Sequence, residues 1–201
     1  MPQENPKHLY GLGFALAQAE QHQHAVKALK AAVRIRPDYA EAYYSLGASF
    51  YQWSEQEEGK EKKQHLLLAE RSFKIVLRLN PNHVAASYNL GTTLHRMGKF
   101  SLSVDSLLLA ASLDPSHEDA YFNMGASLWQ MGRMMDASSA YRQTLQLNPV
   151  KADAYYSDGL CLGAMGHPEQ AQQRFSAALK LDPQHVDALF NLGISHAQMR
   201  R

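Results

Sequence analysis

The sequence predicts an all-α solenoid built from stacked helical hairpins. Three observations predict it. Glycines recur at Gly13, Gly47, Gly91, Gly125, Gly159 and Gly193, spaced 34, 44, 34, 34 and 34 residues apart. Prolines recur at Pro37, Pro81, Pro115, Pro149 and Pro183, spaced 44, 34, 34 and 34. Apolar residues fall at i, i+3, i+4 and i+7 twice in every unit, which is the stripe of an amphipathic helix. Two independent columns share one period and the same extra ten residues in the second unit. An internal repeat of this length marks a solenoid, in which each unit buries its apolar face against its neighbours.

The first helix of each unit carries Leu9, Tyr43, Tyr121, Tyr155 or Leu189, with Ser87 the exception. Leu12, Leu46, Leu90, Met124 and Leu192 precede the glycines, and Leu16, Phe50, Leu94, Leu128 and Leu162 follow three residues after them. The second helix carries a small residue at Ala25, Ala69, Ser103, Ala137 or Ala171, and a large one four further on at Leu29, Phe73, Leu107, Tyr141 or Phe175. A glycine inside a helix costs about 1 kcal/mol relative to alanine. Six at one register therefore need a common compensation, and close approach of the paired helices, with the small column facing the gap, supplies it. Proline ends each second helix because it cannot continue the hydrogen-bond ladder. Glu41, Asp119, Asp153 and Asp187 then stand near the positive end of the next helix. The pattern places helices over residues 7–20, 23–36, 40–56, 64–80, 84–97, 100–113, 118–131, 134–147, 152–165, 168–181 and 186–199.

Composition narrows the function. The formal net charge is +1, so the basic excess of a nucleic-acid binder is missing. A single cysteine, Cys161, excludes an intramolecular disulfide framework and a zinc site of several thiolates. No apolar run approaches the roughly 18 residues of a membrane span. Residues Leu9 to Ala17 follow Lys7, and Ala17-Gln18-Ala19 resembles a signal-peptidase site. Glu4 interrupts the basic region, however, and the same residues fill the repeat register. The segment is therefore read as the first helix and the protein as cytoplasmic.

No catalytic motif or cofactor site is read from the sequence. It contains no G-x-S-x-G elbow, no phosphate loop and no H-E-x-x-H. Cys161, between Leu160 and Leu162, is read as a buried, inert thiol. His83, His117 and His185 share one register, which sets them whole units apart, too far to share an ion at about 2.0–2.1 Å per bond. His22 and His24 lack a third ligand nearby in sequence, and His95 and His196 are read as groove or packing residues on first helices. Met131, Met134 and Met135 bracket a turn, where packing is the expected role. Asp158 stands where other units place Leu or Met. It is either buried with hydrogen-bond partners or hydrated by a local opening, and in both cases structural. The extra residues, Ser54 to His65, form a lengthened hairpin or a projecting loop. A solvated surface is the first reading of that segment and a partner contact the second.

These columns resemble the tetratricopeptide repeat, a 34-residue helix-turn-helix. The resemblance covers units at 6–39, 40–83 (with the insertion near 54–65), 84–117, 118–151 and 152–185, and a partial sixth at 186–201, in one domain spanning 1–201. It implies a right-handed superhelix whose first helices line a concave groove. It also implies a non-enzymatic scaffold that binds a protein or an extended peptide there, with no cofactor. The lining would begin with Tyr10, Tyr44, Tyr88, Phe122, Tyr156 and Phe190, followed directly by Gly11, Ser45, Asn89, Asn123, Ser157 and Asn191. Thr92, His95, Arg96, Ala126, Trp129 and Gln130 continue it one and two turns further on. Aromatic rings give rigid contact area, and amides can pair with both backbone groups of a peptide. The basic clamp by which chaperone-docking members of the family grip a terminal carboxylate is absent at these positions. Arg96 is the one strong cation among the lining residues, and the rim acids favour a neutral or mildly basic ligand. Two other readings stand: an accessory substrate-holding region of a larger, glycosyltransferase-like enzyme, and self-assembly through the apolar C-terminal helix with its Leu189, Phe190, Leu192 and Ile194.

Overall fold

In a computed structural model, which describes residues 5–199 and their side chains as far as residue 195, the helices fall close to the expected places. They are α1 (Pro6–Gln18), α2 (His22–Ile35), α3 (Ala40–Glu55), α4 (Gly59–Leu79), α5 (Val84–Arg96), α6 (Phe100–Leu113), α7 (Glu118–Gln130), α8 (Met134–Leu147), α9 (Ala152–Ala164), α10 (Pro168–Leu181) and α11 (Val186–Met199). No strand occurs among the described residues. The His196 side chain lies outside them. Consecutive helices pair as hairpins: α1 with α2, α3 with α4, α5 with α6, α7 with α8 and α9 with α10. The repeat pattern predicts one array, and the chain divides into two compact units, Met1–Leu113 and Asp114–Arg201.

Within each hairpin the glycine column makes room for the large residue of the second helix. A Cβ on Gly13 would stand 2.6 Å from Leu29 Cγ, and one on Gly91 would stand 2.5 Å from Leu107 Cγ. Phe73, Tyr141 and Phe175 fill the same hollow at Gly47, Gly125 and Gly159. The small column lies at this interface too, and Ser103 Oγ donates to the Gly91 carbonyl at 2.8 Å. In the first unit the buried core runs through Leu29, Phe50, Phe73, Leu90 and Leu94. Burial of such large side chains stabilises a domain by about 1.5–3 kcal/mol each.

The extra ten residues resolve into a lengthened hairpin. Helix α3 runs to Glu55, and α4 begins at Gly59, whose φ of +63° turns the chain back. His65 ties the two helices together: its ring stacks on Trp53 at 4.1 Å between centroids, and its Nδ1 lies 2.8 Å from a Glu57 carboxylate oxygen.

Residues Leu9 to Ala17 lie in α1, which packs on α2. The methionine turn differs from expectation. Met135 is 73% exposed and Met131 also faces solvent, and only Met134 is partly buried. Among the described residues no helix is long and apolar enough to cross a membrane.

Candidate functional site

The first helices carry the candidate site, and the structure shows how much of each side chain the fold already uses. In the first unit α3 packs beside both α1 and α5. Tyr44 on α3 rests on the Phe73 ring and stacks on His83, with centroids 6.0 and 5.1 Å apart. Its hydroxyl accepts a hydrogen bond from Asn89 Nδ2 on α5 at 3.0 Å. Thr92 Oγ1 donates to the Asn89 carbonyl at 3.0 Å. Tyr88, on the same helix, is partly buried.

His95 meets the Phe100 ring edge-on, and burial, helped by the charge of Arg96, pulls its pKa below the ordinary histidine value. Arg96 is engaged within the fold: its guanidinium pairs with Glu55 and lies over the Tyr51 ring at 4.6 Å. It stands at the C-terminal end of α5 beside the lengthened hairpin, so it offers little free charge to the middle of the first-helix face.

The second unit repeats the arrangement. Tyr156 on α9 rests on Phe175 and His185, and Asn191 Nδ2 on α11 donates to its hydroxyl at 3.3 Å. Burial, with the nearby charge of Asp187, raises the Tyr156 pKa. Phe122 on α7 packs against Tyr141, and Lys151 Nζ caps its other side 4.8 Å from the centroid. Burial would pull the Lys151 ammonium down, but hydrogen bonds and charge from Asp119 and Glu118 outweigh it and hold the pKa above the usual value. Asn123 and Trp129, the latter in the last turn of α7, are partly buried, and Gln130 is exposed.

Two features escaped the sequence reading. Two of the periodic histidines, His83 and His185, serve the fold. His83 Nδ1 accepts from the Ala86 amide and His185 Nδ1 from the Ala188 amide, so each caps the start of the next helix while its ring lies against a tyrosine of its own repeat. Their position one residue before a helix was the available signal. The rim acids are also largely engaged. Asp119 pairs with Lys151, Asp153 approaches His185 at 3.5 Å, and Glu41 approaches Arg36 at 3.9 Å.

Asp158 takes the first of its two expected forms. It is fully buried, accepts from Ser138 Oγ, and pairs with Arg174 Nε at 2.8 Å. Cys161 beside it is likewise buried, and desolvation, reinforced by the Asp158 charge, pushes its thiol up to about 12. A thiol so placed is a packing residue. Among the described residues no three of His, Cys, Asp and Glu converge on a point that could hold a metal ion.

Comparison with known proteins agrees with this architecture. No curated protein sequence matches significantly. Solved structures do. A crystal structure of the MamA protein is 23% identical, with a TM-score of 0.79 over 89% of this chain and 92% of that one. MamA from Desulfovibrio magneticus RS-1, from residue 41 to its end, is 18% identical with a TM-score of 0.81 over 92% and 99%. YrrB, a TPR protein with an unusual peptide-binding site, is 23% identical with a TM-score of 0.77 over 95% and 90%. At such identities the likeness concerns the fold. The family pattern described as TPR repeat matches residues 13–52, and that described as Tetratricopeptide repeat matches 62–118, 122–163 and 159–201. With repeat glycines seated on the large residue of each partner helix and these patterns spanning most of its length, the chain belongs to the tetratricopeptide repeat family.

Proposed function

We propose that the protein is a non-enzymatic interaction scaffold that holds an extended peptide segment along the first-helix face of its units. One observation carries the proposal: the aromatic column of the first helices is packed against the fold yet remains partly accessible. Tyr44, Tyr88, Phe122 and Tyr156 are all incompletely buried, and hydrogen bonds from Asn89 and Asn191 fix the orientation of Tyr44 and Tyr156. Fixed rings lose little conformational freedom on binding, and that preorganisation favours affinity. Trp129 and Gln130 add an aromatic surface and a free amide on α7. The peptide-binding site of the structurally similar YrrB supports the same use of this fold. A protein ligand in the cytoplasm fits a near-neutral chain whose lone, buried cysteine makes no demand for an oxidising compartment.

A peptide-display selection on the immobilised chain, followed by calorimetry with the peptide recovered, tests the proposal. Trp129→Ala is expected to weaken binding by about 2 kcal/mol, or roughly thirtyfold, with the melting curve unchanged. Unchanged affinity in both Trp129→Ala and Tyr88→Ala would refute binding on this face.

A second reading, self-association through α11, rests on its exposed apolar side chains. Phe190 is 67% exposed, and Leu189 and Ile194 are exposed with it. Light scattering decides it. Self-association predicts a concentration-dependent mass that Phe190→Asp abolishes, and a constant monomer mass contradicts it.

A further inference from the structure

Helix α4 spans 21 residues where α2, α6, α8 and α10 each span 14. Along it lie six Lys or Arg residues and two Glu residues, in a chain whose net charge is only +1. Two neighbouring surface grooves lie along this helix. The first, of about 620 Å³, is lined by Leu67, Leu77, Arg71, Lys74, Arg78 and Lys99 around Glu70. The second, of about 400 Å³, lies between the added first turn of α4 and the end of α5, where Lys62, Lys63 and Arg96 surround Leu66, Leu67 and Met97. Leu67 and Lys99 belong to both grooves. Volumes of this size accept several side chains of a ligand.

The charge on this surface is unbalanced. Glu70 is the one carboxylate lining either groove, and it accepts from Lys74 Nζ at 2.6 Å and from Lys99 Nζ at 2.8 Å. Of the other acids near the added turn, Glu55 pairs with Arg96 and Glu57 with His65, and Glu58 and Glu61 line neither groove. Lys62, Lys63, Arg71 and Arg78 form no ion pair among the described residues. Amid these cations Leu67 is 53% exposed.

We infer that the outer surface of α4, completed by the inserted turn and by Lys99, is a second docking site, which takes an acidic peptide segment bearing a bulky aliphatic side chain. The carboxylates of the segment would meet the unpaired Lys and Arg groups. Its aliphatic residue would cover Leu67, between Leu66 and Met97. Such charge complementarity governs both encounter rate and choice of partner. A nucleic acid fits less well, since no aromatic ring lines either groove to stack a base. This site is separate from the first-helix face and stands or falls independently of it.

The test uses a short fluorescein-labelled peptide with Asp and Glu on either side of a Leu-Leu pair, titrated with the full chain and followed by anisotropy. Saturable binding is expected. It should weaken about tenfold in Arg71→Glu with Arg78→Glu, weaken similarly when Ser-Ser replaces Leu-Leu in the probe, and fall away at about 1 M salt. Trp129→Ala should leave it unchanged. If the first variant fails to fold, Lys62→Glu with Lys63→Glu on the added turn reads the same effect. No saturable binding would overturn the inference, as would equal affinity in the charge-reversed variant. Displacement of the peptide by a polyuridine RNA that binds more tightly would assign the surface to nucleic acid instead and overturn it too.

Discussion

Asn89 on α5 donates its side-chain N–H to the hydroxyl of Tyr44 on α3, at 3.0 Å. The bond joins equivalent first helices of consecutive repeats, so it sets the orientation of a candidate contact ring and contributes to repeat–repeat packing. A bond of this kind is worth about 0.5–1.5 kcal/mol. Asn89→Ala is therefore expected to lower stability by about 1 kcal/mol, and Tyr44→Phe by a similar amount. In the double variant the two losses should not add. Urea unfolding of the four proteins checks this coupling. A loss of peptide affinity in Asn89→Ala must accordingly be weighed against the matching loss in Tyr44→Phe.

The glycine register predicts opposite effects of one substitution at two sites. Gly91→Ala gains about 1 kcal/mol of helix propensity but drives a Cβ to within 2.5 Å of Leu107 Cγ and 3.3 Å of its backbone nitrogen. Overpacking typically costs about 1–3 kcal/mol, so we expect a net loss of up to about 2 kcal/mol. At Gly193 a Cβ meets nothing within 4 Å. Gly193→Ala should stabilise the chain by a few tenths to about 1 kcal/mol. Thermal melts of the two variants, shifted in opposite directions, are the expected result.

The buried pair of Asp158 and Arg174 predicts an asymmetry. Arg174 is about one-third exposed and can turn to water, whereas Asp158 is fully buried. Arg174→Ala leaves the carboxylate with Ser138 alone and should cost about 3–5 kcal/mol. Asp158→Leu restores the residue type found here in other repeats and should cost about 1 kcal/mol. Denaturant midpoints of the two variants check the order.

Glu70 supplies a pH dependence. Burial raises its pKa, but hydrogen bonds and charge from Lys74 and Lys99 outweigh that and lower it below 4.5. A depressed carboxylate contributes stability that is present above its unfolded pKa and lost as pH falls through the folded value. The native chain should therefore exceed Glu70→Gln by about 1 kcal/mol at neutral pH. The gap should close below pH 4.5, and stability curves of both proteins at a series of pH values measure it.

The repeat was legible because its columns serve local needs that recur every 34 residues, as with Gly91 under Leu107 and Pro115 after α6. The close of each hairpin was missed, although it has its own column. Gly98, Gly132 and Gly166 hold positive φ seven residues after the packing glycines, and Glu20 takes the same conformation in the first repeat without being glycine. A lone Glu gives no sign that its backbone is left-handed. Site residues were located on their helices but their engagement was not legible. Tyr44 and Asn89 are 45 residues apart, Asp158 draws partners from two helices, and Arg96 is matched by Glu55 at the end of α3. Such pairings depend on the angle at which helices pack, which the apolar period leaves open.

The central claim is that the ligand lies along the first helices, and photo-cross-linking tests it most directly. Gln130 is exposed on α7 and Arg142 is exposed on the paired second helix α8. With p-benzoylphenylalanine in place of one or the other, the display-selected peptide is irradiated in complex and the adduct identified by mass spectrometry. The account predicts a peptide adduct from position 130 and none from position 142. An adduct from position 142 alone, or equal yields from the two, would contradict it.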